Sequence, residues 1–288
     1  MFNLYFKNNK LRRSKVQRIS SKDNDFIKHV KKLKDKKYRD ESNEYIVEGI
    51  KLIEEAIKEK AQIKQIVICE ENEKTNAISK SLMYEISRYD CVYVTKQVFN
   101  SITQVVAPQG IFAIVSKTFG DTSQKFQKVE EKKIDYTQDV IVLLDDIQDP
   151  GNLGTILRTI DSCGLNQIVV SKGTVDAYNP KVIRSTMGAI FRINIIERED
   201  LIKTIKEARK HHFKLQVTSL EADMTIYDVN YKKKIIVIGN EANGVSKEIQ
   251  DIADEKVKIP MLGKTESLNA SVAAGIVLYE YTRQKLDK

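Results

Sequence analysis

Apolar residues recur along this chain with two periods, and their alternation lays out two α/β blocks. In "SSKDNDFIKHVKKLK", Phe26, Val30 and Leu33 fall at helical intervals behind Ser and Asp residues that suit a helix start. "EYIVEG" predicts a short strand, and "GIKLIEEAIKEK" a second amphipathic helix with Ile50, Ile53, Ala56 and Ile57 on one face. "IKQIVICE", "CVYVTK" and "QGIFAIVSK" are β-branched runs of strand length. Helices and strands thus alternate over residues 20–117, enough for one compact α/β unit. The polar stretch 118–137, "TFGDTSQKFQKVEEKKIDYT", has no sustained apolar period and reads as a linker.

The second block opens on Val140–Leu144, a continuous apolar run of the kind expected of a parallel strand buried on both faces. A helix is expected from about Leu153. The rhythm then repeats: strand "QIVVSK", helix "NPKVIRSTMGAI", strand "FRINIIE", helix "DLIKTIKEARKHH", strands "KLQVTSL", "KKIIVIGNE" and "EKVKIP", and a long final helix. This predicts an open, mainly parallel α/β sheet whose ligands sit where loops leave the strand C-termini. In the final helix Leu268, Val272, Ile276 and Tyr279 form a stripe, and Ala270, Ala273, Ala274 and Gly275 keep the rest small. Apolar all round, it is expected to be buried, either in the core or against a second subunit.

Charge changes the picture at one end. Residues 1–40 carry 14 Lys or Arg against 4 Asp, a net of +10, while the other 248 residues sum to −2. Such a surplus suits contact with a polyanion. Residues 1–17 are expected to be a basic tail of a cytoplasmic protein, with an organellar transit segment as the alternative. Cys69, Cys91 and Cys163 are scattered and suit buried thiols of a reducing compartment. With three histidines besides, no metal site is expected, and no apolar run approaches the ~20 residues of a membrane span.

Three strand-ending loops carry the candidate chemistry: "DDIQDPGNLGTILR", "IGNEANG" and "IPMLGKTESLN". In the first, Asn152 is positioned to cap a helix, with Arg158 six residues on; in the third, Ser267 is a natural N-cap. Gly263-Lys264-Thr265 mimics the end of a nucleotide-binding P-loop, but Lys258 stands where that motif needs its first glycine. There is no G-x-G-x-x-G after Val140–Leu144, no G-x-S-x-G and no H-E-x-x-H. What remains is a site rich in main-chain N–H and C=O, suited to a ligand such as an adenosine moiety.

Together the three loops resemble the motifs of the SpoU-type RNA ribose methyltransferases of the knotted SPOUT superfamily. The matching stretches are "DPGNLGTILRT", "IGNEANGVS" and "IPMLGKTESLNASVAAGIVLYE". "KKYRDESNEYIVEG" and "APQGIFAIV" are similar to that family's ribosomal-protein-like substrate-binding domain, so the likeness covers nearly all of residues 18–285. Ala242 departs from a glycine frequent in the family. The resemblance implies an RNA-binding α/β domain over residues 18–117 and a methyltransferase domain over 138–288, a parallel-sheet α/β unit with a deep trefoil knot. It also implies S-adenosylmethionine as methyl donor, an RNA 2′-hydroxyl as acceptor, and a homodimer. By position, Thr218, Ser219, Leu220, Gly239, Asn240, Ile259, Met261 and Leu268 match cofactor-binding residues. Asn152, Arg158, Glu241, Ser267 and Asn269 match the polar residues of the methyl-transfer site.

A ribose hydroxyl is a poor nucleophile until its proton leaves. Arg158 is expected to favour the developing alkoxide, and Glu241, or a water it holds, to accept the proton. Ribosomal RNA stands ahead of transfer RNA as substrate. The competing readings are a transfer-RNA ribose methyltransferase, an enzyme of the same fold acting on a base nitrogen, and a non-catalytic RNA-binding protein of this fold.

Overall fold

The structure, a computed structural model, describes residues 16–71, 78–117 and 132–287. Most of the expected basic tail and most of the expected linker lie outside the described residues. The chain divides into two compact α/β units, one up to Thr122 and one from Ser123, with Tyr178–Pro180 counted with the first.

In the N-terminal unit the described elements are β1 (Val16–Ile19), α1 (Asp25–Lys32), α2 (Lys36–Ser42), β2 (Glu44–Glu48), α3 (Ile50–Lys58), β3 (Ile63–Cys69), α4 (Lys80–Ile86), β4 (Cys91–Val94), α5 (Lys96–Ile102) and β5 (Ile111–Ser116). The sheet order is β1-β4-β3-β5-β2, parallel from β1 to β3, with β5 antiparallel to both its neighbours. Asn24 caps α1 through Phe26 N–H at 2.9 Å. The buried Arg39 closes the other end, donating to the Leu33 and Lys34 carbonyls at 2.8 and 2.6 Å. Val30 and Leu33 are fully buried, as their spacing requires, against Phe99 and Phe112. At the start of α3, Gly49 takes φ +116 and the Gln109 side chain accepts Ile50 N–H at 2.7 Å. That bond ties "VEG" to "PQG", the two stretches that carried the resemblance.

The C-terminal unit runs β6 (Val140–Asp145), α6 (Pro150–Ser162), β7 (Gln167–Ser171), α7 (Pro180–Ser185), β8 (Asn194–Arg198), α8 (Leu201–Lys210), β9 (Lys214–Thr218), β10 (Met224–Thr225), β11 (Lys234–Gly239), α9 (Lys247–Asp251), β12 (Glu255–Lys258) and α10 (Ala270–Leu286). Its sheet is wholly parallel, in the order β10-β12-β9-β11-β6-β7-β8. Every residue of β6 and β11 is buried, as expected of central strands covered on both faces. Residues 132–137 dock on this unit: Asp135 and Gln167 exchange bonds of 2.8 and 2.7 Å, and Ile134 and Tyr136 pack on the core.

Two sequence expectations need correction. Helix α6 starts at Pro150, three residues before Leu153, because Pro fits the first helical position. "NPKVIRSTMGAI" is not one helix; Met187 at φ 51 and Gly188 at φ 97 break it after Ser185. Helix α10 is not buried all round within this chain. Ala270, Ala274, Val277, Leu278 and Tyr281 turn inward, while Val272 and Tyr279 are 49% and 56% exposed. Among the described residues no helix is long and apolar enough to cross a membrane.

Candidate active site

Parallel strands bring the three loops together at one end of the sheet. Across β12-β9-β11-β6, Val257 lies opposite Thr218, Val217 opposite Val237, and Gly239 opposite Asp145. The chain folds back immediately after Gly239: Asn240 and Gly244 exchange two main-chain bonds of 2.9 Å. A Cβ on Gly239 would stand 2.2 Å from the Gly244 carbonyl carbon and from Val245 N, so only glycine fits. The Asn240 side chain braces the tip. Its Oδ1 accepts from Ala242 and Asn243 N–H at 2.9 and 3.0 Å, and its Nδ2 donates to the Asp146 carbonyl at 2.8 Å.

The braced loop places Glu241 at the N-terminus of α6, where the helix dipole favours an anion. Its Oε1 accepts from Asn152 Nδ2 at 2.8 Å and Asp149 N–H at 3.3 Å, and its Oε2 from Gln148 N–H at 3.2 Å. Burial pushes the Glu241 pKa up, but the bonds from Asn152 and these N–H groups outweigh it and hold the carboxyl below its ordinary value.

A carboxylate only accepts, so Asn152 must turn its NH2 toward Glu241. That leaves Asn152 Oδ1 to accept from Asn269 Nδ2 at 2.9 Å. Asn269 is left with its Oδ1, which accepts from Ser271 N–H, Val272 N–H and Ser271 Oγ at 2.9, 3.3 and 2.6 Å. Each amide has one consistent orientation, and the relay Glu241–Asn152–Asn269 joins all three loops.

Two expected caps are corrected by this geometry. Asp149, not Asn152, caps α6, its Oδ1 accepting Asn152 N–H at 2.9 Å; Asn152 is itself buried in the first turn. Asn269, not Ser267, caps α10, and Ser267 lies exposed two residues earlier. Arg158 and Ser267 stand outside the relay. Arg158 is exposed on α6, six residues or about 9 Å beyond Asn152 at a helical rise of ~1.5 Å. Helical side chains lean toward the N-terminus, so Arg158 leans toward the loops. Sequence reasoning missed Asp145, which ends β6, and Asp146, which follows it: Asp145 Oδ2 accepts Ser246 N–H at 2.8 Å, and Asp146 takes φ 62. A second Asp after an apolar run gave no signal that its backbone would turn left-handed.

The remaining candidates flank the relay on the β9 and β12 side. Thr218 Oγ1 donates to the Val237 carbonyl at 3.2 Å and Ser219 N–H to Val257 at 2.9 Å, which fixes the exit of β9. Leu220 is 63% exposed, and Ile259, Met261 and Leu268 are half-buried. Thr218–Leu220 and Ile259–Met261 contain no charged side chain. Apolar side chains beside main-chain polar groups fit a neutral planar base such as adenine.

Residues 139–279 match the SpoU rRNA Methylase family, and residues 24–113 the MRM3-like substrate binding domain. The chain is 31% identical over 265 residues to the 23S rRNA (guanosine(2553)-2′-O)-methyltransferase RlmP of Bacillus subtilis, spanning 92% of this chain and 98% of that protein. The chain belongs to the SpoU methylase family. A putative TrmH family tRNA/rRNA methyltransferase of Staphylococcus aureus is 34% identical to this SpoU-family chain over 189 residues, 62% of this chain and 72% of that one. The structure of an AdoMet-bound rRNA methyltransferase from Sinorhizobium meliloti is similar with a TM-score of 0.75 and 28% identity, over 93% of this chain and 98% of its own. That of an RNA 2′-O ribose methyltransferase has a TM-score of 0.74 and 26% identity, over 94% and 100%.

Proposed function

We propose that this SpoU-family protein methylates a ribose 2′-hydroxyl in structured RNA, ribosomal RNA ahead of transfer RNA, with S-adenosylmethionine as donor. The observation that carries the proposal is the Glu241–Asn152–Asn269 relay, which fixes three motif loops at one end of the sheet. The full-length likeness to a ribosomal-RNA ribose methyltransferase supports it. S-Adenosylmethionine, when bound, supplies a methyl group activated by its sulfonium. Thr218, Ser219, Leu220, Gly239, Asn240, Ile259, Met261 and Leu268 would hold it. For Gly239 and Asn240 that role is carried by the loop they shape.

The other residues divide the remaining work. Rigid placement of the acceptor can replace ~7–11 kcal/mol of barrier, and the relay supplies that rigidity. Glu241, with its pKa lowered by donated hydrogen bonds, is a poor proton acceptor and acts as a positioning residue. The Arg158 guanidinium faces the ribose hydroxyl or its phosphate and favours the developing alkoxide. Ser267 and the Asn269 end of the relay border the same loop.

The proposal includes a substrate-binding domain at 18–117, a linker at 118–137 and a knotted methyltransferase domain at 138–288. It also includes a homodimer, supported by the outward apolar face of α10 with Val272 and Tyr279. A monomer in sedimentation velocity at micromolar concentration would remove that part. A cytoplasmic location is supported by three buried free cysteines, which suit a reducing compartment. The substrate is tested by transfer of tritiated methyl from S-adenosylmethionine to unmodified 23S rRNA and, in parallel, to a transfer-RNA pool. Counts in 23S rRNA alone are expected, and counts in transfer RNA alone would reverse the substrate order.

A further inference from the structure

The segment Lys181–Arg192 runs beside α6 along its whole length. At the start, Lys181 Nζ lies 3.9 Å from the Asp149 carboxylate that caps α6. In the middle, a Cβ on Gly154 would meet the Ser185 Cβ at 2.3 Å and the Val182 carbonyl at 2.9 Å. Only glycine allows that approach. At the far end, Arg192 grips Asp161 with Nε and Nη2 at 3.0 and 2.9 Å. The three contacts advance together along both segments, so the two run in the same direction. Arg158, one turn past Gly154, therefore stands beside the part of the segment that follows Ser185.

The charges on this pair of segments are unequal in role. Arg192 is committed to Asp161. The Lys181–Asp149 pair is long, and its side chains are 61% and 50% exposed, so it is weak and separable. Asp149 is in any case engaged through Oδ1 with Asn152 N–H. Arg184 lies three residues beyond Lys181 on α7 and is half-buried, and Arg158 is exposed. From Asp149 to Arg158 is about 14 Å of helix at ~1.5 Å per residue. That length is enough to reach more than one phosphate of a strand, whose spacing along the axis of duplex DNA is ~3.4 Å. The basic edge begins at the loop that holds the relay and passes Arg158.

We propose that Lys181 and Arg184 bind phosphates on one side of the target nucleotide, so that the RNA strand lies along α6 with its ribose at Arg158. This rests on the methyl-transfer reading above and adds the element that aligns the strand. Lys181 exchanges Asp149 for a phosphate when RNA binds. Asp149 keeps its hydrogen bond to Asn152, so the relay is unchanged by the exchange. Gly154 is then a docking residue, setting the distance between the basic edge and the catalytic helix.

The test compares wild type with the double variant Lys181→Gln/Arg184→Gln and the conservative Lys181→Arg/Arg184→Lys. The probe is unmodified 23S rRNA transcript, with S-adenosylmethionine affinity measured separately by calorimetry. The Gln variant is expected to raise KM for RNA about tenfold or more, and to reduce the salt slope of RNA binding by about one per side chain. S-Adenosylmethionine affinity should not change, and the conservative variant should restore most of the RNA affinity. Unchanged RNA affinity and salt slope in the Gln variant would overturn the proposal. So would equal loss of RNA and cofactor affinity, which marks a merely structural role. If wild type bound RNA but transferred no methyl, the activity proposal would fail, and the salt slope would still decide this one.

Discussion

Asn152 and Asn269 lie 117 positions apart in the chain and share a side-chain hydrogen bond of 2.9 Å. Because Asn152 also donates to Glu241 at 2.8 Å, one amide holds together the loops after β6, β11 and β12. Removing it takes one of two donors from Glu241 Oε1 and the acceptor from Asn269 Nδ2.

Asn152→Ala should therefore cost about 0.5–1.5 kcal/mol of stability for each hydrogen bond lost, the usual net contribution of such a bond. Urea denaturation measures it. Methyl transfer should fall about 100-fold or more, since displacement near 1 Å has that effect. Asn152→Asp should be worse, because it sets a carboxylate against Glu241.

Arg158→Lys keeps the charge and loses the planar fork. The account expects kcat to fall by about 10²–10³, the range seen when a preorganised charge-stabilising donor is lost. S-Adenosylmethionine affinity should stay at the wild-type value if Arg158 serves the acceptor, as proposed. Near wild-type kcat would show that guanidinium geometry plays no part.

The folded-state pKa of Glu241 is lower than in the unfolded chain, with the hydrogen bonds from Asn152 and the helix N-terminus outweighing burial. Its contribution is thus fully present above the ordinary carboxylate range and is lost as pH falls through the depressed value. Wild-type stability should drop more steeply than that of Glu241→Gln across the acid range, read by denaturation at several pH values. For the same reason Glu241 should put no limb on the pH–rate profile near neutrality.

Two glycines of one turn should behave differently. Gly239→Ala forces a Cβ to 2.2 Å from main-chain atoms, so the loop must move, and transfer and cofactor affinity should both fall. Gly244→Ala meets nothing within 4 Å but sits at φ +68, so its cost should be near 1 kcal/mol. Thermal denaturation and calorimetry with S-adenosylmethionine separate the two.

Sequence periodicity made the sheet legible, because buried central strands such as Val140–Leu144 must be continuous apolar runs. It could not place the caps. Asp149 and Asn152, like Ser267 and Asn269, are all competent capping types, and only the Pro150 that follows Asp149 pointed to the true cap of α6. β1 was hidden because its edge-strand sequence, "VQRI", is half polar and adjoins a basic tail. The break after Ser185 was obscured because Met187 is an ordinary helix former whose positive φ comes from the turn at Gly188. The motif loops pointed to a shared site. The direction of the hydrogen bonds within it, and with it the bracing role proposed for Glu241, needed coordinates.

The most direct measurement is nucleoside analysis of unmodified 23S rRNA after incubation with S-adenosylmethionine and the protein, wild type beside Asn152→Ala. The account predicts one new 2′-O-methylated nucleoside with wild type and almost none with the variant. A methyl group on a base, or no methyl group on RNA that the protein demonstrably binds together with S-adenosylmethionine, would contradict it.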